Sequence, residues 1–188
     1  MKFTLLSLAA IAAAALAGAA GTATAATIIM GTGPALACYQ AANMRRADVQ
    51  SVQVCDSALE DPMLTPRDRA ATRNNRGILM MYRRNAAAAL TDFEAAARLQ
   101  PAMGESFVNR GAAQIMLGDY AGAIESLNRG LELGSAEQHE AYFNRAIANE
   151  QSGNLRAAYE DYRRALELRP DWLAPQTELQ RFSVRRTP

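Results

Sequence analysis

Lysine is all but missing from this chain. Lys2 is the only one, and every other basic residue is arginine. Histidine and tryptophan also occur once each, as His139 and Trp172, and cysteine twice, as Cys38 and Cys55. One histidine and two cysteines make a poor ligand set for a structural or catalytic metal, so no metal and no cofactor is expected. C-x-x-C spacing is absent, which removes the thiol oxidoreductase reading. No strand pattern is evident, and with it goes the strand, Gly-rich loop and helix order that cradles phosphates. His139, in what reads as a loop, has no nucleophile beside it in sequence. Catalytic residues are therefore assigned to none of these groups, and the chain does not read as an enzyme.

Charge of one sign is lacking too. The 188 residues carry 20 basic and 19 acidic groups. With Lys2 set aside, 19 arginines face 19 carboxylates. A balanced chain has no broad electrostatic footprint for nucleic acid, so nucleic acid is not an expected partner. Beyond residue 26 no apolar run approaches the ~20 residues that span a bilayer.

The N-terminus does have a pattern. Met1-Lys2 is short and positive, Phe3 to Ala17 is apolar, and Ala23-Thr24-Ala25-Ala26 supplies small residues. Charged, apolar and A-x-A segments in that order make a secretory signal peptide. Residues 1–26 are read as that leader, cut near Ala25 or Ala26, with no membrane insertion afterwards. The expected location is periplasmic or secreted. An uncleaved anchor and a lipid attached at Cys38, within Ala35-Leu36-Ala37-Cys38, are the weaker alternatives. In an oxidising compartment an even cysteine pair reads as one disulfide, Cys38 to Cys55. The midpoint between them falls at Arg46-Ala47, where two antiparallel helices would turn and set the cysteines face to face.

Three segments repeat. Asn75-Arg76-Gly77, Asn109-Arg110-Gly111 and Asn144-Arg145-Ala146 lie 34 and then 35 residues apart. Ala89, Ala123 and Ala158 keep the same offset, as do Phe93, Leu127 and Tyr162, and then Ala96, Gly130 and Ala165. Leu99-Gln100-Pro101 and Leu168-Arg169-Pro170 close the first and third copies. Each copy reads as two helices joined by a turn at Arg84-Asn85, Gly118-Asp119 or Gly153-Asn154. The small residues let the two helices of a hairpin approach, and the large ones are expected to fill the space between repeats.

This spacing resembles the tetratricopeptide repeat family, from about Ala70 to Pro170. The resemblance implies an all-α fold, an α-solenoid of three tandem helical hairpins, capped at both ends. The division expected is a leader over 1–26, a linker over 27–35, an N-terminal helical hairpin over 36–66, repeats over 67–101, 102–136 and 137–170, and a C-terminal capping helix and tail over 171–188. Trp172, Leu173, Leu179 and Phe182 would cover the last hairpin from a helix over 175–184. The chain departs from the family pattern in four ways: Arg76, Arg110 and Arg145 occupy a place often held by Leu; Met80, Gln114 and Asn149 occupy one often held by Tyr; Arg84 sits where the other copies have turn glycines; and Ser135 replaces a closing Pro.

The resemblance also implies a function, the binding of a protein or peptide in the concave groove formed by the first helices. The groove places of the family fall here on Asn75, Asn109 and Asn144, with Ile78, Val108, Phe143 and Ile147 as apolar neighbours. The clamp for a terminal carboxylate found in some members needs cations where this chain has Glu140 and Asn144, so that mode is not expected. A structural subunit using its convex face is the alternative.

Overall fold

The computed structural model describes residues 2–5 and 33–185. The expected leader lies outside the described residues apart from Lys2–Leu5, which forms a short strand, β1. Nine helices follow among the described residues: α1 Pro34–Asn43, α2 Val49–Glu60, α3 Pro66–Tyr82, α4 Ala86–Leu99, α5 Gly104–Met116, α6 Tyr120–Glu132, α7 Gln138–Gln151, α8 Leu155–Leu168 and α9 Leu173–Leu179. A second strand, β2 Phe182–Arg185, runs antiparallel to β1, with Leu5 opposite Phe182 and Lys2 opposite Arg185. The fold is all-α, with this one ladder at its C-terminal end. The helices pack in sequence-adjacent pairs, α1 with α2, α3 with α4, α5 with α6 and α7 with α8, each pair stacking on the next.

Local chemistry sets the boundaries. Thr65 caps α3 through its hydroxyl, which accepts from Asp68 N–H at 3.1 Å, and Pro66 occupies the first helical position, where its missing N–H costs nothing. Asp48, Asn85 and Asp119 cap α2, α4 and α6 in the same way. Each cap aligns a helix start with a turn that ends the helix before it.

Small residues decide the crossings. A Cβ on Gly77 would lie 2.5 Å from Phe93 Cε1, and one on Gly111 would lie 2.6 Å from Leu127 Cγ. Ala89, Ala123 and Ala158 are fully buried on the opposite helices, with Phe93, Leu127 and Tyr162. Gly111→Leu is therefore expected to cost about 1–3 kcal/mol through overpacking, read as a shifted midpoint in chemical denaturation. A parent-like midpoint would mean that the α5–α6 crossing is looser than this packing requires.

The arginines at the place often held by Leu have a physical reason. Arg76 in α3 makes a two-pronged contact to Asp92 in α4, at 2.7 Å for each prong, and reaches Asp56 in the preceding hairpin at 2.7 Å. Arg145 repeats this on Asp161, at 2.8 and 2.6 Å, and on Asn128 of the preceding hairpin at 2.6 Å. A guanidinium fork matches a carboxylate in geometry as well as charge. The middle repeat has Ser126 at the matching place, and Arg110 makes only a single 2.9 Å bond to it. Arginine thus does by directed bonding, within and between hairpins, what leucine would do by packing. Asp92 and Asp161 were missed in the sequence although they recur 16 residues after their arginines.

Cys38 and Cys55 are joined by a disulfide, both fully buried, with Cα atoms 4.8 Å apart across the α1–α2 pair. The chain turns at 44–48, where the sequence placed the turn. The C-terminal cap departs from expectation. A single helix over 175–184 was predicted; α9 covers Leu173–Leu179 instead, and β2 follows. Trp172 and Phe182 do cover the last hairpin: Trp172 lies 4.7 Å from Phe143, and Phe182 lies 5.8 and 6.0 Å from Tyr159 and Tyr162, ring centre to ring centre. Leu173, expected to cover it too, is 73% exposed.

Candidate binding groove

The first helices of the three repeats, α3, α5 and α7, pack side by side and carry the predicted groove residues. All seven are buried in the full chain. Asn75, Asn109 and Asn144 have at most 1% of their surface exposed, Ile78 and Val108 1%, Phe143 and Ile147 5%. Asn109 donates from Nδ2 to Oδ1 of Asn74 at 3.2 Å, tying α5 to α3. Its own Oδ1 has no hydrogen-bond partner among the described residues. Phe143 lies between Tyr162 and Trp172, at 5.6 and 4.7 Å, and so packs as a core residue. Asn109→Ala, silent on a groove surface, would here strip Asn74 of a buried partner at a cost of about 1 kcal/mol.

The same helix row is more open at the thirteenth place of each repeat. Tyr82 and Gln151 are exposed and Met116 is half-buried. These side chains form the rim, and the asparagines form the floor.

Acidic groups gather at the start of α7. The sequence put His139 in a loop; it lies instead in the first turn of α7. Glu137, His139 and Glu140 bring one donor atom each within 4.8 Å of one another. Arg169 stands 3.4 Å from His139 Nε2, and Trp172 meets the imidazole edge-on at 5.2 Å. A guanidinium in that place repels a metal cation, so the trio carries no metal assignment. Burial lowers the affinity of His139 for a proton. Burial, reinforced by Glu137, pushes the Glu140 carboxyl up to about 8, against the opposing pull of Arg169 and Arg45. At the far wall Tyr162 donates to Glu150 at 3.0 Å, and Arg181 also pairs with Glu150.

A separate open cleft, which the sequence did not suggest, lies under the cap between Tyr159, Leu166, Pro170, Leu179 and Phe182. Its lining comes from three elements that are distant in local pattern, so no short motif marks it. None of the described helices is long and apolar enough to cross a membrane.

Tetratricopeptide repeat profiles match residues 74–137 and 139–171, together a little over half of the chain. The chain belongs to the tetratricopeptide repeat family. Among solved structures, it is similar to the crystal structure of MamA, with a TM-score of 0.64 and 16% identity over 81% of this chain and 82% of that one. It is similar also to MamA 41-end from Desulfovibrio magneticus RS-1, with a TM-score of 0.59 and 17% identity over 73% of each chain. The first tetratricopeptide repeat domain of human RPAP3 gives a TM-score of 0.58 and 24% identity, over 62% of this chain and 90% of that domain. At these identities the likeness concerns the fold alone. No curated protein matches the chain. Proteins of this fold generally act as scaffolds in protein–protein interaction and are typically non-catalytic.

Proposed function

We propose that this protein is an exported adaptor that holds an extended segment of a partner protein along the row of α3, α5 and α7. The observation that carries the reading is Asn109, at the middle of that row. It is buried, and its acceptor oxygen has no partner among the described residues. A buried acceptor left unmet costs about 1–3 kcal/mol, and a backbone N–H from a strand that displaces what covers the row would meet it. Asn75 and Asn144 hold the same repeat place on the flanking helices. Tyr82, Met116 and Gln151 at the rim are what a ligand reaches first. Export is supported by the order of the first 26 residues and by the buried disulfide, which suits an oxidising compartment.

A partner captured from the envelope fraction provides the test. Replacing Asn75, Asn109 and Asn144 together by Ala should weaken its binding about tenfold or more, which is 1.4 kcal/mol or above. The floor is buried, so the triple variant is compared by circular dichroism first. Met116→Glu, on the rim, serves where the triple variant loses helicity. Parent-like affinity in both variants would remove this face as the binding site and favour a structural subunit docking through its outer helices.

A further inference from the structure

All four hairpins turn from first to second helix through one backbone motif. The N–H three residues past the helix end reaches back into the last turn: Arg46 to Ala41 O, Asn85 to Met80 O, Asp119 to Gln114 O and Asn154 to Asn149 O, at 2.8–2.9 Å. The motif forces the residue just before that donor into the left-handed region. In the second and third repeats that residue is Gly118, at φ 78°, and Gly153, at φ 80°. In the N-terminal hairpin and the first repeat it is Arg45, at φ 55°, and Arg84, at φ 61°. Glycine adopts this conformation without steric cost and arginine does not. Two neighbouring turns therefore accept strain to keep an arginine, and strain held in place marks a side chain with a task.

The two turns form one surface. Arg83 Nη1 donates to Ala47 O at 2.9 Å, and the Arg45 guanidinium lies 5.8 Å from the centre of the Tyr82 ring. Arg46, Arg83 and Arg84 are exposed beside them. Elsewhere on the surface, Arg98, Arg129, Arg156, Arg163 and Arg164 each pair with a glutamate. Arg45, Arg46, Arg83 and Arg84 form no ion pair within 4.0 Å among the described residues, and Arg45 acts on Glu140 and Arg46 on Asp48 only at longer range. Asp48, in the same stretch, is engaged in capping α2 through Ser51. Between the arginines stand Met44, 61% exposed, and Val49, 59% exposed. In a chain whose net charge is only +1, this edge concentrates four arginines without a close ion pair among protruding apolar side chains.

We propose that the edge formed by the turns at 44–49 and 82–85 docks the protein on an anionic lipid surface. Guanidinium forks fit phosphate oxygens. Met44 and Val49 can enter the headgroup boundary, and tyrosine suits a border between apolar and wet surroundings. Met44 and Val49 stand exposed as separate apolar points; a fluid lipid surface accepts such points, whereas a folded partner would need matching cavities. The inference does not rest on the groove reading: Tyr82 borders both surfaces, but the arginine variants below leave Tyr82 and the floor asparagines unchanged.

Flotation of the full chain with two kinds of vesicle tests it, phosphatidylcholine alone and phosphatidylcholine with about one-third phosphatidylglycerol. The apolar stretch 3–17 is common to every protein compared and does not distinguish vesicle charge, so the readout is the preference for anionic vesicles. Each arginine should contribute about fivefold to that preference, and added salt should erode it. In the double variant Arg45→Gly and Arg84→Gly, both turns gain the residue their conformation favours. That variant should resist denaturant at least as well as the parent while its preference falls about 25-fold. The matching lysine variants, which keep the charge, should retain most of it. Equal binding to both vesicles, or undiminished preference in the glycine variant, would overturn the proposal. Binding to poly-glutamate without vesicle preference would also overturn it, assigning the edge to an acidic protein segment.

Discussion

Removing the disulfide, by Cys38→Ser with Cys55→Ser or by reduction, is expected to destabilise the N-terminal hairpin by about 3 kcal/mol. The bond closes a loop across 17 residues of sequence separation, and cross-links of that span constrain the unfolded chain by about that amount in the chain-entropy model. Location sharpens the expectation. The α1–α2 pair sits at the end of the described array and packs onto α3, so among the described elements it has a neighbour on one side only. Terminal units of repeat arrays unfold at lower free energy than central ones. Hydrogen exchange should therefore accelerate over α1 and α2 first and leave α7 and α8 little changed. The cluster around Cys38 and Cys55, with Ile78, Leu79 and Phe93, would lose its outer cover. Unaltered exchange over 34–60 after reduction would show that packing alone holds the hairpin.

The second large effect is a dependence on pH. Glu140 is 6% exposed, and its carboxyl is pushed up to about 8 from an ordinary 4.5, by burial first and by Glu137 next. Between those two values the folded chain keeps a proton that the unfolded chain releases. The folded form then binds more protons, so stability falls as pH rises through that window. One pH unit corresponds to about 1.4 kcal/mol, and the full window, from 4.5 to about 8, to about 5 kcal/mol. His139 shifts the other way: burial lowers its proton affinity, so its contribution is lost as pH falls through the range below its ordinary 6.5. Measurement from pH 6.5 upward therefore isolates Glu140. Glu140→Gln should stay level where the parent loses about 2 kcal/mol between pH 6.5 and 8, and should be the more stable protein at pH 9. Parallel curves for parent and variant would mean that Glu140 is ionised in the fold throughout.

Much of the fold was legible because repetition makes local chemistry visible three times. Gly77, Gly111 and Ala146 mean little singly; at a fixed offset they mark helix crossings. The Cys38–Cys55 pairing was legible because the turn fell midway between the two residues. Exposure was not legible. Asn75, Asn109 and Asn144 share a repeat place, but whether that place is open depends on what the rest of the chain lays against it, which no period records. Phe143 reads as a groove anchor until Trp172, 29 positions on, is seen to pack against it. The capping segment failed for a related reason: β2 pairs with residues at the opposite end of the sequence, and local pattern carries no sign of so distant a partner. The place of Arg84, level with the turn glycines Gly118 and Gly153, was legible as a departure from the repeat; its left-handed backbone, and that of Arg45, was not.

The buried side chains do not merge into one core. One cluster runs from Cys38 to Ala113 and another from Val108 to Phe182, and α5 contributes Ala112 and Ala113 to the first and Val108 and Ile115 to the second. The middle hairpin also has the weakest version of the arginine lock, a single bond to Ser126 in place of a fork. In a linear array, couplings between neighbours set where cooperativity breaks. The two larger clusters thus meet at α5, one closed by the Cys38–Cys55 disulfide and the other by the rings of Phe143, Tyr162, Trp172 and Phe182, and α5 is where coupling between them is carried.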